Sequence, residues 1–193
     1  MVGIVSDRRG ASLLNRLFRR DRNAEEGGAA IYGAVVAQAR QPALYARLGV
    51  PDSVTGRFEM VVLHAVLMLE RLRREGEKGK AFSQAVFDDF CRDMDQSLRE
   101  LGFGDQAVPK RMKQLGESFY GRAQAYGAAA GDHATLTAAI ARNVFGEAEA
   151  PAAAARLAHY ALAVDAALAD VSWPDLATGR VVFPDPAHFA EEA

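Results

Sequence analysis

The sequence predicts an all-α protein built as a single compact multi-helix domain. Apolar residues recur at the three- and four-residue spacing of a helix along most of the 193 residues. Glycine and proline interrupt this spacing at intervals, and no strand-like alternation precedes residues 181–183. Half of the residues are hydrophobic and a quarter are charged, which is typical of a globular chain. We therefore expect a helical domain with a short basic N-terminal helix and an extended C-terminal tail.

Seven helices are predicted, at about 11–20, 27–47, 56–75, 80–101, 108–129, 133–145 and 152–170. The breaks between them have physical causes. Pro51 follows Gly49 and cannot continue a helix, because its nitrogen carries no hydrogen. Pro109 is tolerated in the first turn of the fifth helix, and Asp132 is a suitable N-cap for the sixth.

Charge is distributed unevenly and divides the chain into three parts. We expect a basic leader (1–23), a helical domain (24–170) and a proline-containing acidic tail (171–193). The leader holds six arginines and two aspartates, whereas residues 131–193 hold three arginines and nine acidic residues. A basic N-terminal segment is expected to contact an anionic surface. The alternative, which explains the charge distribution equally well, is that the terminal charges only keep the protein soluble.

The leader has the pattern of an amphipathic helix. Its apolar face is formed by Leu13, Leu14, Leu17 and Phe18. Its basic face is formed by Arg16, Arg19 and Arg20. This pattern is typical of a helix that lies on an anionic membrane, and packing of the same helix on its own core is the alternative.

The helix at 56–75 is apolar on two sides. The expected core stripe is Phe58, Val61, Val62, Ala65, Leu69 and Leu72. Met60, Leu63 and Leu67 form a second ridge on the other side, so the helix is either central to the fold or half exposed to a partner. We assign the ridge as a candidate partner-binding surface. His64 lies beside it and is predicted to be a hydrogen-bonded structural residue, because no second metal or haem ligand has suitable spacing.

The helix at 81–101 carries paired charges on its outer face. Asp89 and Asp93 differ from the other acids because they project towards the edge of the apolar stripe. The Glu-x-x-His pattern of a bundle metal site is missing, so we expect a cation of the same chain, such as Arg57, Lys110 or Arg111, to neutralise them. The predicted internal ion-pair network consists of Arg57, Glu59, Asp89 and Asp93.

The helix at 109–126 has a basic edge, formed by Lys110, Arg111, Lys113 and Arg122. Such an edge suits RNA phosphates, lipid headgroups or an acidic protein, and a solvated face is the alternative. Gly121 stands where the helix should be exposed, which indicates a close contact or a local kink.

Several functional classes lack their signatures. There is no glycine-rich phosphate loop, no nucleophile elbow and no His-Glu-x-x-His, and the four histidines are scattered. We predict neither an enzyme nor a cofactor or metal. Cys91 is the single cysteine and is expected to act as a small buried hydrophobe. The longest apolar run, at 60–69, is about half the length of a membrane span, and a secretory signal is not expected.

Four segments resemble one known family. They are GVPDSVTGRFEM, EGEKGKAF, FDDFCRDMDQSLRELGFGD and VPKRMKQLGESFYGRAQAY. In this order and spacing the chain is similar to the ubiquinol–cytochrome c chaperone family over about 33–145, a match that excludes the leader. The resemblance implies a helical assembly factor, not an enzyme, that helps newly made cytochrome b mature. In mitochondria, members of the family act at the inner membrane with a small partner protein.

The resemblance also suggests roles for the residues above. The ridge of Met60, Leu63 and Leu67 would bind the client. The basic edge and the leader would face the membrane, the ribosome or an acidic partner, whereas DNA binding and a transmembrane span are not expected. The lack of a long presequence favours a bacterial, cytoplasmic protein peripheral to the inner membrane, and a mitochondrial member would lie on the matrix side. A haem- or metal-handling protein and a homodimeric interaction module remain the alternatives.

Overall fold

A computed structural model describes residues 8–129, 131–146 and 152–190, with side chains from residue 22 onward. These residues are helical, irregular or in turns, and none of them forms a strand. The helices are α1 (Arg8–Ala39), α2 (Pro42–Ala46), α3 (Val54–Arg73), α4 (Glu77–Glu100), α5 (Val108–Ala128), α6 (His133–Ile140), α7 (Ala152–Asp170) and α8 (Trp173–Leu176). A π-helical turn (Ala141–Phe145) follows α6, and a 3₁₀ turn (Pro186–Phe189) lies near the C-terminus. The all-α prediction is confirmed.

Helix α3 lies at the centre of the fold. It packs against α1, α4, α5, α7 and the π-helical turn, so both of its apolar sides are covered. Met60 and Leu63 have 0% exposure and Leu67 is half-buried. The central position that the sequence allowed for this helix is confirmed, and the assignment of these three residues as a partner-binding surface is wrong, because the second apolar side of α3 faces other helices of the same domain.

Helix α1 is longer than predicted. Residues 11–20 and 27–39 belong to one helix, and Gly27 and Gly28 do not break it. These glycines allow close packing: a Cβ atom on Gly28 would lie 2.4 Å from the Cβ of Ala85 in α4. The helix ends at Ala39, ahead of Pro42, which starts α2. The side chains of the leader arginines Arg16, Arg19 and Arg20 lie outside the described part of the structure.

The other predicted boundaries agree with the structure to within a few residues. Pro109 lies in the first turn of α5, and the Asp132 side chain accepts a hydrogen bond from the Ala134 amide at the start of α6. In the first turn of α3, Gly56 packs so closely on the preceding loop that a Cβ atom would lie 1.9 Å from the Pro51 carbonyl oxygen. The GVPDSVTG segment is thus explained by backbone shape and helix capping.

A buried polar chain joins α1, α3 and α7 to the tail. His64 Nδ1 donates to the Met60 carbonyl (2.7 Å) and Nε2 accepts from the Tyr160 hydroxyl (2.7 Å), which itself accepts from Gln38 (2.8 Å). Gln38 also donates to the carbonyl of Pro184, which holds the extended tail on the domain. Burial lowers the pKa of His64 to about 4, so the ring is neutral at pH 7. The prediction of a hydrogen-bonded structural histidine is confirmed.

Candidate protein-binding surface on α5

Helix α5 consists almost entirely of the segment VPKRMKQLGESFYGRAQAY and has one buried and one exposed face. Phe119 and Tyr126 point into the core, where α5 packs on α3 and α4. The opposite face, which includes Lys113, Glu117 and Gly121, is exposed. Residues on that face do not hold the domain together by burial, so they are the first place to look for a function.

The buried face carries an ion pair between Arg122 and Glu59. Arg122 Nε and Nη2 each lie 2.5 Å from a different carboxylate oxygen of Glu59, which is only 1% exposed. Burial raises the pKa of Glu59, and the carboxylate in turn raises the pKa of Arg122. This bidentate ion pair links α5 to α3. The assignment of Arg122 to an outward-facing basic edge is therefore wrong, because most of its donors are used inside the protein.

The four residues of the predicted internal network do not come together. Arg57 pairs with Asp52 at the surface (2.7 Å), and Asp89 pairs with Arg92. Asp93 accepts a hydrogen bond from the Tyr32 hydroxyl (2.7 Å) rather than from a cation. The prediction of one network is wrong because each carboxylate finds a partner on its own or a neighbouring helix.

The remaining basic residues of α5 do lie at the surface. Lys110 and Arg111 are exposed in the first turns of the helix, and the Arg111 guanidinium lies over the Phe103 ring at 5.1 Å. The Lys113 side chain is 79% exposed and its ammonium lies 3.9 Å from Glu117, a distance at which an exposed pair contributes little. These three cations are placed where a partner could reach them.

An aromatic edge beside this surface was missed by sequence reasoning. We define it as Phe87 of α4 with Gly116 and Tyr120 of α5. The Tyr120 ring lies 6.1 Å from that of Phe87, which contacts the buried Phe119 at 5.4 Å. Tyr120 is 66% exposed, although its ring lies next to those of Phe87 and the buried Phe119. A large exposed aromatic side chain is enriched at protein interfaces.

Two of the three glycines of α5, Gly116 and Gly121, make no close contact within the described part of the structure. A Cβ atom at Gly116 or at Gly121 would meet nothing within 4 Å, and neither residue has a positive φ. Glycine in a helix interior costs about 1 kcal/mol relative to alanine. Their presence beside Tyr120 therefore favours close approach of something outside the domain. The sequence signal was the pair Tyr120-Gly121, in which the glycine is unexplained by helix propensity.

Two other kinds of site were tested against the described residues. No group of three or more His, Cys, Asp or Glu side chains among them is arranged to hold a metal ion. No helix in the described ranges is both long enough and apolar enough to cross a membrane. Cys91 is a half-buried free thiol, and burial raises its pKa.

Known proteins are similar to this chain in sequence and in fold. Residues 46–183, which include α3 to α8, match the family model described as ubiquinol-cytochrome C chaperone. The crystal structure of the Cbp3 homolog from Brucella abortus is similar, with 43% sequence identity and a TM-score of 0.78. That similarity covers 90% of this chain and 97% of the Brucella chain.

A mammalian relative is more distant. The ubiquinol-cytochrome c reductase complex assembly factor 1 of Mus musculus is 28% identical over 105 residues. The matched part is 53% of this chain and 35% of the mouse protein, so it spans about a third of that relative's length.

Proposed function

Because this chain belongs to the ubiquinol–cytochrome c chaperone family, we propose that it binds newly made cytochrome b and promotes assembly of ubiquinol–cytochrome c reductase. The protein acts by binding an assembly intermediate and not by catalysis. The aromatic edge of Phe87, Gly116 and Tyr120 carries this proposal, because it lies within the matched residues and has no explanation inside the domain.

The aromatic edge replaces the ridge of Met60, Leu63 and Leu67 as the client-binding surface. Tyr120 and Phe87 offer aromatic area to an apolar segment, and Gly116 lets a partner helix approach the backbone of α5. An incompletely assembled membrane protein exposes such apolar segments, and covering them is what an assembly factor has to do.

The basic residues at the start of α5 orient the complex. Lys110, Arg111 and Lys113 lie at the surface beside the aromatic edge, where they attract an anionic membrane surface, a ribosome or an acidic partner subunit. We assign the protein to the cytoplasmic side of the inner membrane in a bacterium, or to the matrix side in a mitochondrion, as a peripheral protein.

The haem- or metal-handling alternative loses His64 as a ligand, whereas the homodimeric alternative keeps a structural argument. His64 has 0% exposure and both of its ring nitrogens are hydrogen-bonded, so it cannot bind haem without dismantling the core. A homodimer would use the same aromatic edge. Sedimentation of the purified protein separates the two cases, because a constant dimer that ignores cytochrome b would contradict the client-binding proposal.

Affinity capture from solubilised membranes tests the proposal directly. The tagged wild-type protein should retain cytochrome b, and Tyr120→Asp should lose it. Val54→Asp is the matched control, because Val54 is also 66% exposed but lies at the start of α3 and not on α4 or α5. Equal capture by all three proteins would show that the client binds at another surface of the protein. Absence of cytochrome b from the wild-type sample would show that cytochrome b is not the client.

A further inference from the structure

A pocket of about 500 Å³ lies between the end of α1, helix α2 and the start of α3. This volume is within the range of about 300–1,000 Å³ that is usual for small-molecule sites. The uncharged part of its wall is formed by Pro42, Tyr45, Ala46 and Val50. Its charged lining residues are Arg40, Asp52 and Arg57. None of these residues belongs to α4 or α5, so the pocket is not part of the aromatic edge.

Two arginines of the pocket lie close to the same tyrosine. The Arg57 guanidinium lies over the Tyr45 ring, with Cζ 5.9 Å from the ring centre. The Tyr45 hydroxyl donates to the Ala39 carbonyl (2.7 Å), which holds the ring against the end of α1, beside Arg40. Burial raises the pKa of Tyr45, whereas the positive charges of Arg57 and Arg40 both act to lower it. The two guanidiniums therefore share one small region of the pocket.

Asp52 neutralises only part of this positive charge. Its carboxylate accepts from Arg57 Nε at 2.7 Å, and among the described residues this is the one hydrogen bond that Arg57 donates from its side chain. Both terminal nitrogens of the Arg57 guanidinium, and the exposed side chain of Arg40, are thus available to a ligand. The side chains of Arg57 and Asp52 are 64% and 56% exposed, so their pair contributes little to stability and the fold does not require it.

We propose that this pocket binds the phosphate group of a small, soluble phosphate ester. A phosphate group has enough oxygen atoms to accept hydrogen bonds from two guanidiniums at once, and arginine is well suited to this bidentate geometry. A carboxylate has two oxygens, and Arg57 already has one carboxylate partner in Asp52. The apolar wall of Pro42, Ala46 and Val50 would contact the organic part of the ester. This site does not depend on the proposed function.

Isothermal titration calorimetry of the full chain with phenyl phosphate and with benzoate tests the phosphate assignment. The two probes carry the same ring and differ in the anionic group. We expect phenyl phosphate to bind at least about tenfold more tightly, because it can accept more charge-assisted hydrogen bonds. Equal affinity for the two probes, or no measurable binding of phenyl phosphate, would overturn the proposal.

Three variants test the pocket itself. Arg40→Ala and Arg57→Ala should each weaken phenyl phosphate binding about tenfold, and Asp52→Asn should strengthen it, because it removes a negative charge that competes for Arg57. Arg73→Ala is the matched control, because Arg73 is also an exposed, ion-paired arginine of α3 but lies at the other end of that helix. Equal weakening by Arg73→Ala, or weaker binding by Asp52→Asn, would show that phenyl phosphate does not bind in this pocket.

Sedimentation with lipid vesicles distinguishes a soluble ester from a lipid headgroup, which carries the same phosphate chemistry. The vesicles contain phosphatidylglycerol mixed with phosphatidylcholine, or phosphatidylcholine alone. If the ligand is a soluble ester, Arg40→Ala should leave vesicle binding unchanged while it weakens phenyl phosphate binding. Vesicle binding that Arg40→Ala abolishes and phenyl phosphate displaces would overturn the soluble ester and assign the pocket to a lipid headgroup. Capture of cytochrome b by Arg40→Ala should equal that of the wild type, so the client proposal is tested separately.

Discussion

Replacing Gly116 and Gly121, two of the three glycines of α5, by alanine should stabilise the protein. Gly116 and Gly121 lie in the helix interior with ordinary negative φ, and the space that a Cβ atom would enter is open at both positions. Each substitution should contribute about 1 kcal/mol, so the pair adds about 2 kcal/mol. For a protein of this size, that corresponds to a rise in melting temperature of roughly 4–8 °C.

The assay is urea unfolding followed by circular dichroism, with the midpoint and slope fitted for each variant. Gly28→Ala is the contrasting control, because its Cβ atom would lie 2.4 Å from that of Ala85 and α1 would have to move away from α4. We expect it to lose about 1–3 kcal/mol. If the α5 variants lose stability as Gly28→Ala does, these glycines serve the fold, and the reasoning that assigns them to a partner fails.

The same α5 variants link stability to function. A methyl group at Gly116 or Gly121 keeps a closely packed partner away from the α5 backbone. We therefore expect the doubly substituted protein to be more stable and to capture less cytochrome b. Unchanged capture with raised stability would show that no partner approaches α5 closely at these positions.

Two further predictions concern the interior. Arg122→Ala leaves the Glu59 carboxylate buried without its partner and should cost about 3–5 kcal/mol in urea unfolding. Arg57→Ala breaks an exposed pair and should cost far less. Equal losses would contradict the structural role of the buried pair. Because the folded-state pKa of His64 is about 4, below the usual 6.5, the unfolded chain binds more protons between these values. Unfolding free energies measured from pH 7 to pH 4 should therefore fall by about 3 kcal/mol from this residue, and His64→Gln should show a smaller fall.

The sequence predicted the helices well because their signals are local. Proline at 51 and 109 and a capping aspartate at 132 each act within one turn, so the boundaries at these residues agree with the structure. The predicted break near residues 20–27 failed for a tertiary reason. One helix runs through this region, where Gly27 and Gly28 let α1 pack closely on α4.

The binding surface was less predictable, because periodicity identifies apolar faces but not what covers them. The two apolar sides of α3 fit a central helix or a half-exposed one, and the burial of Met60 and Leu63 follows only from the position of α3 among four other helices. Arg122 could not be separated from its basic neighbours until Glu59 was seen opposite it. The exposure of Tyr120 likewise depends on the angle at which α5 meets α4.

The most direct test of the central claim is the amount of assembled cytochrome bc complex in cells whose own copy of the gene is replaced by a variant. Reduced-minus-oxidised spectra of the membranes report the haem b of the complex, and immunoblots confirm equal amounts of each variant. We predict that Val54→Asp supports a normal amount of the complex and that Tyr120→Asp, present at the same level, does not. Normal assembly with Tyr120→Asp would contradict the claim that this protein assists assembly through the aromatic edge of α5.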